Sequence, residues 1–275
     1  MFEIVFEILI VFLCGLFFGS FANVCIYRMP RDLSVIKPRS RCTQCNKQIS
    51  WYDNIPVLSY IFLKGKCRGC GSKISFIYPF IEIICAVLFL LMYYLFGFSY
   101  LLPVFCIFSF SLLVITAIDF KFQIIPDELS LLLIVVGFGT SFFNYTLADT
   151  VLQRLIQSFL GFIVGGGSLY IIAVVGKWVL KQEAMGGGDI KLMAGVGTFI
   201  GWEKVLFAIF IASLFGSIVG FTLILFKKIM RKEAIAFGPH LAVGSMLTLF
   251  LPPPAVILNT ILIFEEQLLF KLFLR

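Results

Sequence analysis

The chain is 275 residues long, 60 percent hydrophobic and 13 percent charged, with a formal net charge of +7. Soluble domains carry about 45–50 percent apolar residues, so the excess excludes an ordinary water-soluble globule and places the chain in a membrane. Its 33 Phe, 9 Tyr and 3 Trp exclude disorder as well, because they offer far more buriable surface than a disordered chain carries.

A hydrocarbon core about 30 Å thick takes roughly 20 apolar residues per helical crossing. The pattern predicts an all-α polytopic membrane protein with about eight spans, at 4–26, 77–97, 101–118, 129–147, 155–176, 189–201, 204–226 and 239–263. The sixth is short enough to pack inside the bundle, tilt or break. The expected organisation is a first transmembrane helix over 1–26, a small cytoplasmic zinc-ribbon-like loop over 27–76 and a transmembrane core over 77–275.

The first stretch carries Glu3 and Glu7 where a secretory signal would carry cations, and it reads as an uncleaved helix. Residues 27–76 hold ten Lys or Arg against Asp32 and Asp53, which puts that loop in the cytoplasm by the positive-inside rule. The loops near 119–128, 177–188 and 227–237 then share its side, the last through Lys227, Lys228, Arg231 and Lys232, and both termini lie outside. The loops near Phe98, Asp149 and Glu203 are too short for an external domain. Because the cations flank helix ends, orientation and anionic lipid account for them, and the bilayer rather than nucleic acid is the expected partner.

Within the basic loop, Cys42-Thr43-Gln44-Cys45 and Cys67-Arg68-Gly69-Cys70 form two C-x2-C knuckles with 21 residues between them. That is close to the spacing of a four-thiolate zinc ribbon. Zinc here would staple a loop too small to build a core, with the adjacent Arg and Lys offsetting the thiolates. A disulfide or redox pair is the competing account, disfavoured in the cytoplasm. A catalytic metal needs an open position, and four Cys ligands leave none. Cys14, Cys25, Cys85 and Cys106 lie in apolar helices and read as buried, inert side chains.

Ionisable groups in apolar spans are costly and so mark function. Glu82, Asp119 and Asp189 qualify. Asp119 closes the third span; Asp189 opens the sixth after Gly186, Gly187 and Gly188 and just before Lys191, both at cytoplasmic helix ends. Two carboxylates in a poorly solvated site share a proton, so one can act as base while the other is acid. The base deprotonates water, and the acid polarises an amide carbonyl and helps the amine leave. This is aspartyl proteolysis without a covalent intermediate.

The competing account makes Asp189 a helix cap and Asp119 an interfacial residue beside Lys121. Three consecutive glycines weigh against a mere cap, because they permit close backbone approach and unusual dihedrals. Asp127, after Pro126, suits the first turn of a helix. Glu82, one turn after Tyr78-Pro79, is a supporting residue that either faces the site or hydrogen-bonds internally. His240, the only histidine, follows Pro239 at a helix start and reads as a packing or locally hydrogen-bonded residue.

Several blocks together carry a resemblance. They are Gly19-Ser20-Phe21-Ala22-Asn23, the paired cysteines with Trp51-Tyr52-Asp53-Asn54-Ile55-Pro56, Tyr78-Pro79-Phe80-Ile81-Glu82, and the stretch from Asp119 to Asp127. The Gly-x-Gly-Asp ending at Asp189 and Phe237-Gly238-Pro239 complete them. The chain resembles, nearly end to end, the bacterial type 4 prepilin peptidases of type IV pilus, type II secretion and competence systems. Ala22, where the family often has Leu, and His240 depart from the pattern. The resemblance implies that Asp119 and Asp189 are catalytic and that the substrates are type IV prepilins or pseudopilins, cut on the cytoplasmic side after the Gly ending a short basic leader.

The resemblance also implies N-methylation of the new amino terminus by S-adenosylmethionine, at the cytoplasmic (inner) membrane. The sequence itself has no glycine-rich nucleotide cradle, and Gly195-Val196-Gly197 reads as helix packing. Leader cations are expected to meet acids such as Asp127, Glu128 or Glu183, since the cysteine loop repels them. An ion-coupled membrane transporter is the rival reading, because intramembrane acids and glycine-broken helices also describe ion pathways. The lack of an evident inverted repeat and the placement of both acids at one face weigh against it. A scaffold docking through the cysteine loop leaves Asp119 and the glycine triplet unused.

Overall fold

The computed structural model describes residues 2–181, 185–226 and 236–252. Their helices are α1 (Phe2–Arg28), α2 (Leu58–Phe62), α3 (Ile77–Phe96), α4 (Leu101–Phe122), α5 (Asp127–Thr140), α6 (Val151–Leu180), α7 (Gly187–Leu225) and α8 (Gly238–Phe250). Single 3-10 turns cover Met29–Arg31 and Trp51–Asn54. No strand occurs among the described residues, only two isolated antiparallel bridges. The helices α1, α3, α4, α6 and α7 are long and apolar enough to cross a membrane, so the chain is a multi-pass, all-α membrane protein.

Five such helices stand among the described residues, where about eight spans were expected along the whole chain. The α5 helix has 14 residues and reaches only about 21 Å, short of the hydrocarbon core; turns and bends follow at 141–150. The stretches 189–201 and 204–226 follow one another within α7 and are parted, as expected, by a kink at Gly201 with φ 79° and ψ 173°. Side chains other than hydrogen are strained there. The α8 helix has 13 residues, and the remainder of 239–263 beyond 252 lies outside the described residues, as do Lys227, Lys228, Arg231 and Lys232. The short sixth stretch packs inside, as its length implied: Leu192 through Gly201 are all buried.

The chain divides into two compact units, 1–129 and 130–275. In the first, α1 lies against α3 and α4. Small residues set that approach: an added Cβ on Gly15 would meet Ala86 Cα, and one on Gly19 would meet Glu82 Cα. Asn23 Nδ2 donates to the Tyr78 carbonyl at 3.0 Å and ties α1 to the start of α3. The opposite face of α1 leaves Phe2, Phe6 and Phe17 exposed, which is favourable only against lipid. Cys25, Cys85 and Cys106 are buried as expected, but Cys14 is exposed, because its helix face carries no covering neighbour.

In the second unit α6 packs on α7 backbone to backbone at Gly161 and Gly197, where a Cβ on either would overlap the other's carbonyl. Gly195 faces Leu133 and Ser130 of α5, so the Gly195-Val196-Gly197 segment serves helix packing. The break at Gly201 leaves the preceding carbonyls without helical partners. Two side chains satisfy them: Asn144 Nδ2 donates to the Phe199 carbonyl at 2.9 Å, and Ser158 Oγ donates to that of Thr198 at 2.9 Å. A capping box between Thr150 and Gln153 starts α6.

Candidate active site

The cysteine loop assembles as its spacing implied. The sulfurs of Cys42, Cys45, Cys67 and Cys70 all lie within 4.8 Å of one another. Cys42 Sγ and Cys70 Sγ are 3.9 Å apart; a tetrahedron with Zn–S of about 2.3 Å puts its sulfurs about 3.8 Å apart. Four soft donors filling four positions suit zinc in a structural role.

The two knuckles are copies of one device. The Cys42 N–H donates to the Lys47 carbonyl at 2.9 Å and the Cys67 N–H to that of Ser72 at 2.8 Å. Asn46 N–H returns to the Cys42 carbonyl and Gly71 N–H to that of Cys67, both at 2.9 Å. Asn46 and Gly71, at φ 55° and 70°, take the left-handed turn at matching places. The repeat is legible in the sequence: Cys42-x2-Cys45-x3-Ile49-Ser50 recurs as Cys67-x2-Cys70-x3-Ile74-Ser75. Counting knuckles alone misses it.

Local donors decide which thiol ionises first. The backbone N–H of Cys45, followed by that of Gln44, lowers Cys42 to about 6. The Ser72 hydroxyl and backbone lower Cys70. For Cys45 the Lys47 N–H pulls downward, but desolvation and the neighbouring thiols outweigh it and raise it to about 11. The cluster therefore offers thiolate at neutral pH, with a proton retained on Cys45. Arg68 pairs with Asp53 at 2.7 Å and lies over the Tyr52 ring at 5.4 Å, which fastens the second knuckle to the 3-10 turn.

Asp119 sits in the last turn of α4 and is buried at 5 percent exposure. Its carbonyl accepts the N–H of Gln123, which ends the helix at φ 55°. Asp189, at 9 percent exposure, is the third residue of α7. Gly186 occupies the N-cap position and makes no side-chain cap bond, so Asp189 is not the cap that the simpler account made it. It lies in the first turn of that helix. Asp119 belongs to the first unit and Asp189 to the second.

The glycine triplet also acts differently from expectation. Gly186 has φ −75° and ψ 145°, an extended backbone open to any residue, and Gly187 and Gly188 are helical. Unusual dihedrals are not their use. A Cβ on Gly186 would stand 3.5 Å from Asp189 Oδ2, and one on Gly187 would meet nothing. These glycines leave open ground beside a carboxylate.

Lys191 is exposed on α7, and Asp127 and Glu128 are exposed in the first turn of α5. Glu183 lies outside the described residues. Glu82, buried in the second turn of α3, accepts the Val57 N–H at 2.8 Å, with Ser20 as a second partner. His240 Nδ1 lies 3.1 Å from the Ala236 carbonyl, a local contact as expected.

Comparison with known proteins assigns both halves. Residues 13–96 match the Bacterial Peptidase A24 N-terminal domain, and residues 106–221, which hold both aspartates, match the Type IV leader peptidase family. Prepilin leader peptidase/N-methyltransferases of Pseudomonas putida and Neisseria gonorrhoeae are 32 and 33 percent identical over 84 percent of this chain and 85 percent of their own lengths. The protein of that name from Myxococcus xanthus is 35 percent identical over 78 percent of this chain, a match spanning 62 percent of the relative. No solved structure matches. Nothing here supports the transporter reading.

Proposed function

The chain belongs to the type IV leader peptidase family, and from that premise we propose that it is an aspartyl endopeptidase with Asp119 and Asp189 as its catalytic pair. It removes the leader of type IV prepilins or pseudopilins at the cytoplasmic face of the inner membrane and methylates the new amino terminus. The observation that carries the reading is that both acids fall within the peptidase segment, buried at helix ends.

One carboxylate takes a proton from water as it adds to the carbonyl carbon. The other, protonated, gives its proton to the carbonyl oxygen; the first then passes the water's proton to the departing amine while the second recovers its own from the gem-diol as the carbonyl re-forms. Burial strengthens both interactions by excluding competing water. The open ground at Gly186 and Gly187 admits an extended substrate strand beside Asp189, and the exposed acids Asp127 and Glu128 take the cations of a basic leader. The cysteine loop holds zinc as a structural staple. S-adenosylmethionine supplies the methyl group of the second reaction.

The test is cleavage of a prepilin peptide by purified protein in detergent. Wild type cuts after the Gly that ends the leader; Asp119→Asn and Asp189→Asn do not. Retained cleavage in either variant overturns the pair.

A further inference from the structure

The cysteine loop carries an apolar face that neither zinc binding nor cleavage uses. Leu58, Ile61 and Phe62 stand at i, i+3 and i+4 along α2, so they share one side of its short turn. All three are exposed, Ile61 at 61 percent and Phe62 at 81 percent. Ser59 turns back on the loop instead, its Oγ donating to the Ile55 carbonyl at 2.7 Å. Large apolar side chains gathered on one exposed face mark a contact surface.

Contacts with α3 fix the depth of that face. Val57, the residue before α2, donates its N–H to the Glu82 carboxylate at 2.8 Å. The membrane-crossing helix α3 begins at Ile77, so Glu82 lies about 7.5 Å along its axis at 1.5 Å per residue. The Tyr60 ring meets that of Phe76, and Phe76 meets Phe80, each pair with centroids 6.3 Å apart. Phe76 and Phe80 are exposed as well, which joins α2 to the lipid-facing flank of the span. The first turns of a span lie at the boundary of headgroups and acyl chains, so α2 sits at the depth of the bilayer surface. A second copy of the chain would have to displace lipid to reach it.

Charge narrows the kind of lipid. Lys64 and Lys66 follow α2 directly and are exposed, and Lys66 faces Lys73 across an antiparallel bridge. Like charges placed opposite one another are destabilising, and an anionic layer relieves that repulsion. None of the three makes an ion pair among the described residues, whereas Arg68 has Asp53. We propose that α2 is an interfacial foot of the cysteine loop: Ile61 and Phe62 enter the leaflet surface beside the start of α3, and Lys64 and Lys66 meet the phosphates of anionic phospholipid. An apolar face flanked by lysines is the pattern of a segment lying in such a surface.

The test is fluorescence of the full chain in lipid nanodiscs, with Phe62→Trp as the reporter in a background of Trp51→Phe, Trp178→Phe and Trp202→Phe. Nanodiscs are made of phosphatidylcholine alone or mixed with phosphatidylglycerol, each with and without bromine on the acyl chains. In the mixed discs bromination extinguishes most of the emission, acrylamide in the water quenches little, and bromine near the headgroup end quenches more than bromine near the chain end. Lys64→Asn with Lys66→Glu, where Asn suits the left-handed backbone at φ 51°, reduces the bromine quenching in mixed discs. Ile61→Trp in place of Phe62→Trp repeats the measurement from the same face and guards against a local effect of the first substitution.

Reporters quenched by acrylamide and untouched by bromine place α2 in water and overturn the foot. Emission shifted to the blue and shielded from both quenchers means that protein covers the face, a second copy or another partner, and overturns it too. Bromine quenching that is equal in the two lipid mixtures and indifferent to the lysine substitutions overturns the anionic surface. None of these outcomes depends on cleavage, so the foot stands or falls apart from the assignment of Asp119 and Asp189.

Discussion

The carboxylate of Glu82, in the second turn of α3, accepts the backbone N–H of Val57 at 2.8 Å. Val57 stands at φ 59° and ψ −50°, between a Pro56 carbonyl and a Leu58 N–H that bond at 2.5 Å. This is a three-residue turn of the rare positive-φ kind, strained for any side chain and most for a β-branched one. The membrane helix thus holds the loop in a shape that its own sequence resists.

Glu82→Ala should leave that N–H without its acceptor and lower stability by about 1–3 kcal/mol, while Glu82→Gln should cost less. Denaturant midpoints in detergent decide it. Equal midpoints for all three proteins would remove the clasp from the account of the fold.

The catalytic pair predicts non-additivity. Asp119→Asn and Asp189→Asn should each lower kcat by about 10²–10⁴-fold, the range for a positioned acid or base. If the two act as the proposed unit, the double variant should be scarcely slower than the worse single one. Losses that multiply would mean independent roles.

Zinc uptake should be linked to pH with a definite sign. Binding requires four thiolates, yet in the metal-free loop Cys45 holds its proton up to about 11 while Cys42 is ionised above about 6. At neutral pH binding therefore displaces protons, and affinity rises with pH. Below about pH 6 the Cys42 thiolate is lost as well, and affinity should fall more steeply. Calorimetry in two buffers of different ionisation enthalpy reads the protons released; no buffer dependence would contradict the linkage. Cys42→Ser with Cys67→Ser should abolish stoichiometric zinc.

What the sequence disclosed and what it concealed divide by the range of the interaction. The knuckles were legible because they are a local pattern whose chemistry needs those residue types at that spacing, and the sulfurs do gather. The Glu82–Val57 bond joins residues 25 apart, and periodicity carries no trace of it. Span counting is weakest where apolarity and length part company: α5 is apolar but short, and the two stretches within α7 are parted by a single residue, Gly201. The cap account of Asp189 rested on the preference of Asp for that position, but Gly is tolerated there as well, and Gly186 holds it.

Close packing at α6 and α7 predicts intolerance of the smallest side chain. Gly161→Ala places a methyl group on the Gly197 carbonyl, and neither helix can yield without shifting its neighbours. The expected loss is about 1–3 kcal/mol, as for an overpacked core. Thermal unfolding in detergent measures it, and a wild-type midpoint would show that α6 and α7 can separate locally.

Gly187 makes the opposite prediction, and the contrast assigns the glycine triplet to folding or to substrate. A Cβ there meets nothing, the backbone is helical, and Ala favours a helix over Gly by up to about 1 kcal/mol. Gly187→Ala should therefore fold as well as wild type or better. If the open ground beside Asp189 receives the substrate strand, the same methyl group should lower kcat/KM for a prepilin peptide by at least about tenfold, a barrier increase of about 1.4 kcal/mol. Unimpaired cleavage by a well-folded Gly187→Ala protein would return this glycine to the helix start as an ordinary residue and place the substrate elsewhere.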